Sequence, residues 1–183
     1  PKCRHRSNIT EHRIAYLLSQ GAKPWEILAV TFTNKAAKEM KERIKSLLHI
    51  LDPDSIHADL EARTAKLPVM GTFHSICVRI LRREIEQLGR DRNFVIYDAD
   101  DQEKLMKEIL REMHINDKEL KPRAALSHIG RFKSEAVNPK EAQSQATTPR
   151  MQQIIQTYSL YQAALKQANA LDFDDLILET VRL

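Results

Sequence analysis

One short phrase occurs twice in this chain, and both times it ends an apolar run. Thr31-Phe32-Thr33-Asn34 follows Ile27-Leu28-Ala29-Val30, and Thr72-Phe73-His74-Ser75 follows Pro68-Val69-Met70-Gly71. Each joins a strand-like stretch to a strongly helical one, which points to an α/β fold whose strands give way directly to helices. In an open parallel sheet that junction, the carboxyl end of a strand, is where ligand sites lie. The helix beginning there offers unsatisfied backbone N–H groups and a partial positive charge, a ready anion site. Around the two turns stand small hydroxyls, Asn34, His74, the rings of Phe32 and Phe73, and the cation Lys35. A phosphate backbone with bases available for stacking suits that set. A buried strand-end ring is the plainer reading of Phe32 and Phe73, and pattern alone does not decide between the two.

The remainder reads mostly as helix. Residues 1–8 are basic and aperiodic and are expected to be loose. A helix follows from about Thr10, with Ile14, Leu17 and Leu18 inward and Gly21 as its stop. Trp25, after Pro24, is expected to pack beside a first strand over 27–32. Thr33 is a good N-cap for a helix whose Ala37, Met40, Ile44, Leu47 and Leu48 form one stripe. Lys35–Glu39, Lys38–Glu42 and Glu39–Arg43 are spaced as i,i+4 pairs on its other face. Lys35 falls in the first turn, where a cation opposes the helix dipole unless an anion binds. Residues 49–67 form a polar link, with Asp52-Pro53-Asp54 turning and 55–65 weakly helical. A second strand over 68–73 leads into a helix over 75–88, closed by Gly89.

Residues 94–97 are extended, and Asp98 caps a helix with Leu105, Met106, Ile109, Leu110 and Met113 inward. Asp100 and Asp101 suit its first turn. Pro122, Gly130 and Pro139 punctuate 114–148 into short helices and turns, and 143–148 reads as a loop. Thr148-Pro149 starts a helix that buries Met151, Ile154, Ile155, Tyr158, Gln162 and Leu165. Leu171-Asp172-Phe173-Asp174-Asp175-Leu176 opens the last helix with Asp172 as cap. Its three carboxylates read as a negatively charged helix start rather than a metal or acid–base site.

The 183 residues suffice for one domain, or one with a sizeable insertion. Charged residues make up 30% and glycines number four, which indicates a helix-rich protein. No apolar run is long enough to span a membrane, and the opening residues are not expected to act as a signal peptide. Cys3 and Cys77 form no metal-ligand spacing, and Cys3, His5 and His12 lack a fourth ligand. A reducing cytoplasm and no metal are therefore expected. The net charge of +4 is spread unevenly. Residues 1–48 hold ten Lys/Arg against four Asp/Glu and 121–150 hold six against two, whereas 98–120 is acidic. Such basic zones suit a polyanion or are ordinary solvated helix faces, and charge alone does not choose.

Ala29-Val30-Thr31-Phe32-Thr33-Asn34-Lys35-Ala36-Ala37 resembles motif Ia of the UvrD/Rep/PcrA family of superfamily 1 DNA helicases, its PcrA branch most of all. Gly71-Thr72-Phe73-His74-Ser75 resembles motif Ib, and Cys77-Val78-Arg79-Ile80-Leu81-Arg82-Arg83 continues the likeness. The 171–176 stretch is similar to the element where the chain re-enters the first motor domain. His12-Arg13-Ile14-Ala15-Tyr16-Leu17-Leu18 is similar to the helix after the phosphate loop. The resemblance runs from about residue 11 to the end. It implies an incomplete RecA-like (P-loop NTPase) parallel sheet interrupted by an all-helical insertion. Residues 1–91 and 170–183 would form part of motor domain 1A, and 92–169 the insertion 1B.

The resemblance further implies that both turns grip single-stranded DNA. Phe32 would meet a base, Thr33, Asn34 and Lys35 the backbone, and Thr72, Phe73, His74 and Ser75 likewise. The 1B part would lie toward the duplex of a single-strand/double-strand junction. The family's ATP chemistry needs G-x-x-x-x-G-K-[ST] and D-E-x-Q; neither occurs in the sequence. The 49–67 link also looks longer than usual. The chain is thus expected to be a piece of an ATP-dependent 3′→5′ DNA helicase of repair and replication, cut at both ends. ATP and Mg²⁺ would serve the intact enzyme, with neither bound by this piece and no catalytic or metal residue in it. Repair proteins are expected partners, the bacterial cytoplasm and nucleoid the expected location, and self-association through uncovered sheet edges the expected behaviour. The alternative is an inactive DNA-binding or helicase-interaction module.

Overall fold

The computed structural model describes residues 2–51, 67–116 and 118–183. The turn and weak helix expected within 52–66 lie outside the described residues, as do the side chains of Cys3 and His5. The chain divides into two compact units, Pro1–Ile76 and Cys77–Leu183.

In the first unit helix α1 (Lys2–Ser19) is followed by strand β1 (Leu28–Thr31), helix α2 (Asn34–Leu51) and strand β2 (Val69–Thr72), which runs into helix α3 (Phe73–Glu84). Helix α1 starts at Lys2 and not near Thr10. Once a helix is nucleated, a stretch rich in Lys and Arg and free of Gly and Pro extends it at little cost. Gly21 stops it as expected: at φ 90° its N–H donates to the Leu18 carbonyl, and the Ala22 N–H reaches Leu17, both at 3.1 Å. The inward face runs through Glu11, Ile14, Ala15 and Leu18, so Leu17 falls off it and is exposed. Buried Glu11 pairs with Arg43 of α2 at 3.3 Å.

Strands β1 and β2 pair in parallel, Leu28 opposite Val69 through to Thr31 opposite Thr72. Ile14, Ala29 and Ile44 form the buried centre, and Leu18, Ile27, Met40, Leu48, Leu67 and Met70 pack on it. Of the expected α2 stripe, Ile44 is buried and Met40 and Leu48 pack with it, whereas Ala37 and Leu47 are half-buried outside this cluster. On its outer face Glu42 pairs with Lys45 at 3.0 Å and not with Lys38. Trp25 is a correction. Pro24–Glu26 forms a 3₁₀ turn closed by the Lys23 N–H donating to Glu26 at 2.9 Å. That turn carries the ring outward, 71% exposed, with the Lys23 ammonium 5.4 Å from its centroid.

The second unit is mostly helical. After the 3₁₀ turn Ile85–Leu88 come strand β3 (Val95–Ile96) and helices α4 (Ala99–Glu112), α5 (Pro122–Ser134), α6 (Pro139–Ala142) and α7 (Pro149–Gln167). Strand β4 (Ala170–Leu171) and helix α8 (Phe173–Arg182) complete it. Asp98 caps α4, accepting from Asp100 and Asp101 N–H groups, and Thr148 caps α7. Met106, Ile109 and Leu110 of α4, Ile129 and Phe132 of α5, and Ile154, Ile155, Tyr158, Tyr161 and Leu165 of α7 form the main core. Within it the rings of Phe132 and Tyr158 stack 5.9 Å apart at 5°. A smaller core gathers Leu81, Ile85, Phe94, Leu171 and Leu176 around the β3–β4 pair. That pair is parallel, with Val95 opposite Ala170 and Ile96 opposite Leu171.

Two expectations change here. Gly130 does not punctuate the chain but lies inside α5, and Tyr161, not flagged as core, is fully buried. The class is as expected: a helix-rich α/β chain with short parallel sheets, consistent with an incomplete RecA-like sheet. No helix among the described residues is long and apolar enough to cross a membrane.

Candidate nucleic-acid interface

Thr31 pairs with Thr72, so β1 and β2 end level with each other. A helix begins directly after each strand, and a threonine caps each one. Thr33 Oγ1 accepts the Ala36 N–H at 3.1 Å, and Thr72 Oγ1 accepts the Ser75 N–H at 3.3 Å. Both are hydroxyl caps to the third helical residue. The repeated phrase is thus used with a shift of one residue: Phe32 precedes its cap, whereas Phe73 is the first residue of α3. Helix α3 therefore starts at Phe73, ahead of the expected position 75, because the cap is Thr72.

The shift gives an unequal pair of rings. Phe32 is 91% exposed and Phe73 48%. Their centroids lie 5.5 Å apart with planes tilted by 53°. Neither is a buried strand-end ring. The side chains of Thr33, Asn34 and Lys35 are exposed, while Thr72, His74 and Ser75 are half-buried. Four hydroxyls build the turns: besides the two caps, Thr31 Oγ1 donates to the Thr33 carbonyl at 3.0 Å and Ser75 Oγ donates to the Thr72 carbonyl at 2.8 Å. Gly71 makes room for this, since a Cβ there would collide with Ser75 Oγ.

At the start of α2, Thr33 takes up the N–H groups of Ala36 and Ala37. Those of Asn34 and Lys35 are left for an acceptor outside the helix. No carboxylate among the described residues pairs with Lys35. The arrangement offers two ring faces, one cation and helix-start donors, a set able to hold an anion beside a flat apolar group. It does not fit ATP and Mg²⁺. The β1–α2 turn is only Phe32-Thr33, without glycine to wrap phosphates, and the eight residues include no carboxylate for the metal. Among the described residues no cluster of His, Cys, Asp and Glu is arranged to hold a metal.

The family model of the UvrD/REP helicase N-terminal domain matches residues 6–183. The chain belongs to that family. It is similar to ATP-dependent DNA helicase PcrA of Staphylococcus aureus and of Staphylococcus epidermidis, 41% identical over 179 residues in each case. The match covers 97% of the chain and 23% of each of these relatives, so the chain spans about a quarter of their length.

Both capped turns of this UvrD/REP helicase domain fall within the matched residues. Trp25 and Leu28, 71% and 59% exposed, add apolar surface to the same unit. The sequence alone places Trp25 against the first strand. Pro24 is the signal that a turn would carry Trp25 outward.

Proposed function

We propose that the two capped turns hold single-stranded DNA, and that this UvrD/REP helicase domain is the DNA-tracking part of an ATP-dependent 3′→5′ DNA helicase. The observation that carries the reading is the pair of solvent-facing rings, Phe32 and Phe73, at the ends of paired parallel strands where two helices begin. Ring faces accept bases whatever their sequence, and a lysine with helix-start N–H groups receives phosphate. The names of the relatives, both ATP-dependent DNA helicases, support it. Phe32 then stacks on a base, Lys35 and the α2 start hold the backbone, and the Thr72–Ser75 turn supports the second contact. Residues 1–91 and 170–183 belong to the motor domain and 92–169 to an insertion facing junction duplex. ATP and Mg²⁺ act in other parts of the intact bacterial enzyme, and repair proteins are its partners.

Titrating a labelled oligonucleotide at several salt concentrations tests this. Lys35→Ala should weaken binding of every sequence and flatten the salt slope by about one phosphate's worth. Phe32→Ala should cost about 1–3 kcal/mol of binding and leave the slope nearly unchanged. Its melting temperature should stay at the parent's, because so exposed a ring holds little of the core. Normal binding by well-folded Phe32→Ala, together with a silent Lys35→Ala, would overturn the reading and favour an interaction module.

A further inference from the structure

The 171–176 stretch takes no part in the proposed DNA site, yet two of its carboxylates are buried: Asp172 is 3% exposed and Asp175 fully enclosed. Both face one cation. Lys133 of α5, itself buried, places its ammonium 2.6 Å from Asp172 Oδ2 and 2.9 Å from Asp175 Oδ1. Helix α7 closes the cluster. Tyr161 Oη donates to Asp172 Oδ2 at 3.0 Å, Gln162 Nε2 donates to Asp175 Oδ1 at 3.1 Å, and the ammonium lies 5.1 Å from the Tyr161 ring centroid. The remaining oxygens cap α8: Asp172 Oδ1 accepts the Asp175 N–H at 2.9 Å, and Asp175 Oδ2 accepts the Asp172 N–H at 3.3 Å. Every carboxylate oxygen of the pair has a donor, the condition under which a buried polar network rigidifies its surroundings.

Two negative charges share one ammonium, and the α8 dipole offsets only part of the excess. Removing the cation would strand both carboxylates away from water. One turn earlier on the same face of α5, Gly130 lies so near α8 that an added Cβ would stand 3.1 Å from Asp174 Oδ2. That approach brings Lys133 within reach. Immediately before Asp172, β4 pairs with β3 over two residues, too short a ladder to fix the junction alone.

We infer that Lys133 is a positioning residue that locks the first turn of α8 onto α5 and α7 by charge. It thereby holds the point where the chain leaves β3 for the helical core and returns through β4. The inference stands on this geometry and needs no part of the DNA reading.

Urea unfolding of the full chain and its variants tests it. Lys133→Met keeps the bulk without the charge and should lower the folding equilibrium constant about a hundredfold or more. Adding Asp175→Asn removes one stranded charge and should recover much of that loss. Lys133 of α5 and the cap residue Asp172 act on Asp175 directly, Tyr158 and Tyr161 of α7 lie beside the pair, and Asp174, Glu179 and Arg182 of α8 are the further charges around those two rings. Burial already raises Asp175 above its ordinary value of 3.8, and Lys133 pulls it back. Without the lysine the carboxyl should hold its proton more tightly when folded, so stability should fall more steeply as pH rises above 3.8. Asp175→Asn should flatten that slope. A packing role predicts a tolerated Lys133→Met with no new slope, or a double variant no better than the single, and either result overturns the inference. If Lys133→Met does not fold, the double variant decides: folding supports the charge lock, and failure overturns it.

Discussion

Gly71 shows how little room the second turn leaves. A methyl group there meets Ser75 Oγ, so the serine must rotate off the Thr72 carbonyl. Gly71→Ala should therefore cost about 1 kcal/mol, the net worth of one hydrogen bond. In a Ser75→Ala background the same change should be nearly neutral, because the next contact, Ile76 Cγ1 at 3.6 Å, is ordinary. A double-mutant cycle in urea measures the difference. Glu103 offers a pH test. Hydrogen bonds from Lys107 and Arg123 hold its carboxyl down, from 4.5 to about 2. A depressed carboxyl stabilises the fold above its unfolded value and loses that contribution as pH falls toward the folded one. NMR titration should place the midpoint near 2, and Arg123→Ala should move it back toward 4.5. The Thr33 cap was legible in sequence because capping is local chemistry, whereas the Thr72 cap was not. Lys133 was not: its partner Asp172 lies 39 positions away, and nothing nearby marks it off from the solvated lysines.

Among the elements, α7 carries a large share of the core from a start that rests on one cap. Thr148 Oγ1 accepts the Met151 N–H at 3.1 Å. Thr148→Ala should lower stability by about 1 kcal/mol, read as a shifted urea midpoint with an unchanged slope. The starts at Asp98, Thr148 and Asp172 could be read from sequence, since each pairs a capping side chain with a following helical stripe. The length of α5 could not. An isolated glycine in a helical pattern costs about 1 kcal/mol against alanine and so weakens the helical reading, but at Gly130 the need for close approach to α8 outweighs helix propensity. The two Thr-Phe phrases also concealed which threonine would cap, because Thr31 and Thr72 are equivalent in register while Thr33 and Thr72 are equivalent as caps.

For the whole molecule, the purified chain should hydrolyse no ATP with or without single-stranded DNA, since the sequence contains no G-x-x-x-x-G-K-[ST]. Turnover that survives further purification and rises with DNA would count against this. Among the described residues β1 pairs only with β2, and Leu28 on it is 59% exposed. Sedimentation should therefore show association that grows with concentration, and Leu28→Lys should reduce it without loss of stability. A single species at every concentration would contradict the expectation. The α/β class was plain from the strand-to-helix junctions, whereas the division into compact units falls inside α3, where no break in composition marks it. The parallel pairing of β3 with β4 also limits protein engineering. Because the strands run the same way, the end of β3 and the start of β4 lie at opposite ends of the pair. No tight turn can replace residues 97–169, since rejoining parallel strands takes a crossover of about a dozen residues. The helical core can thus be exchanged for another crossover but not simply cut out.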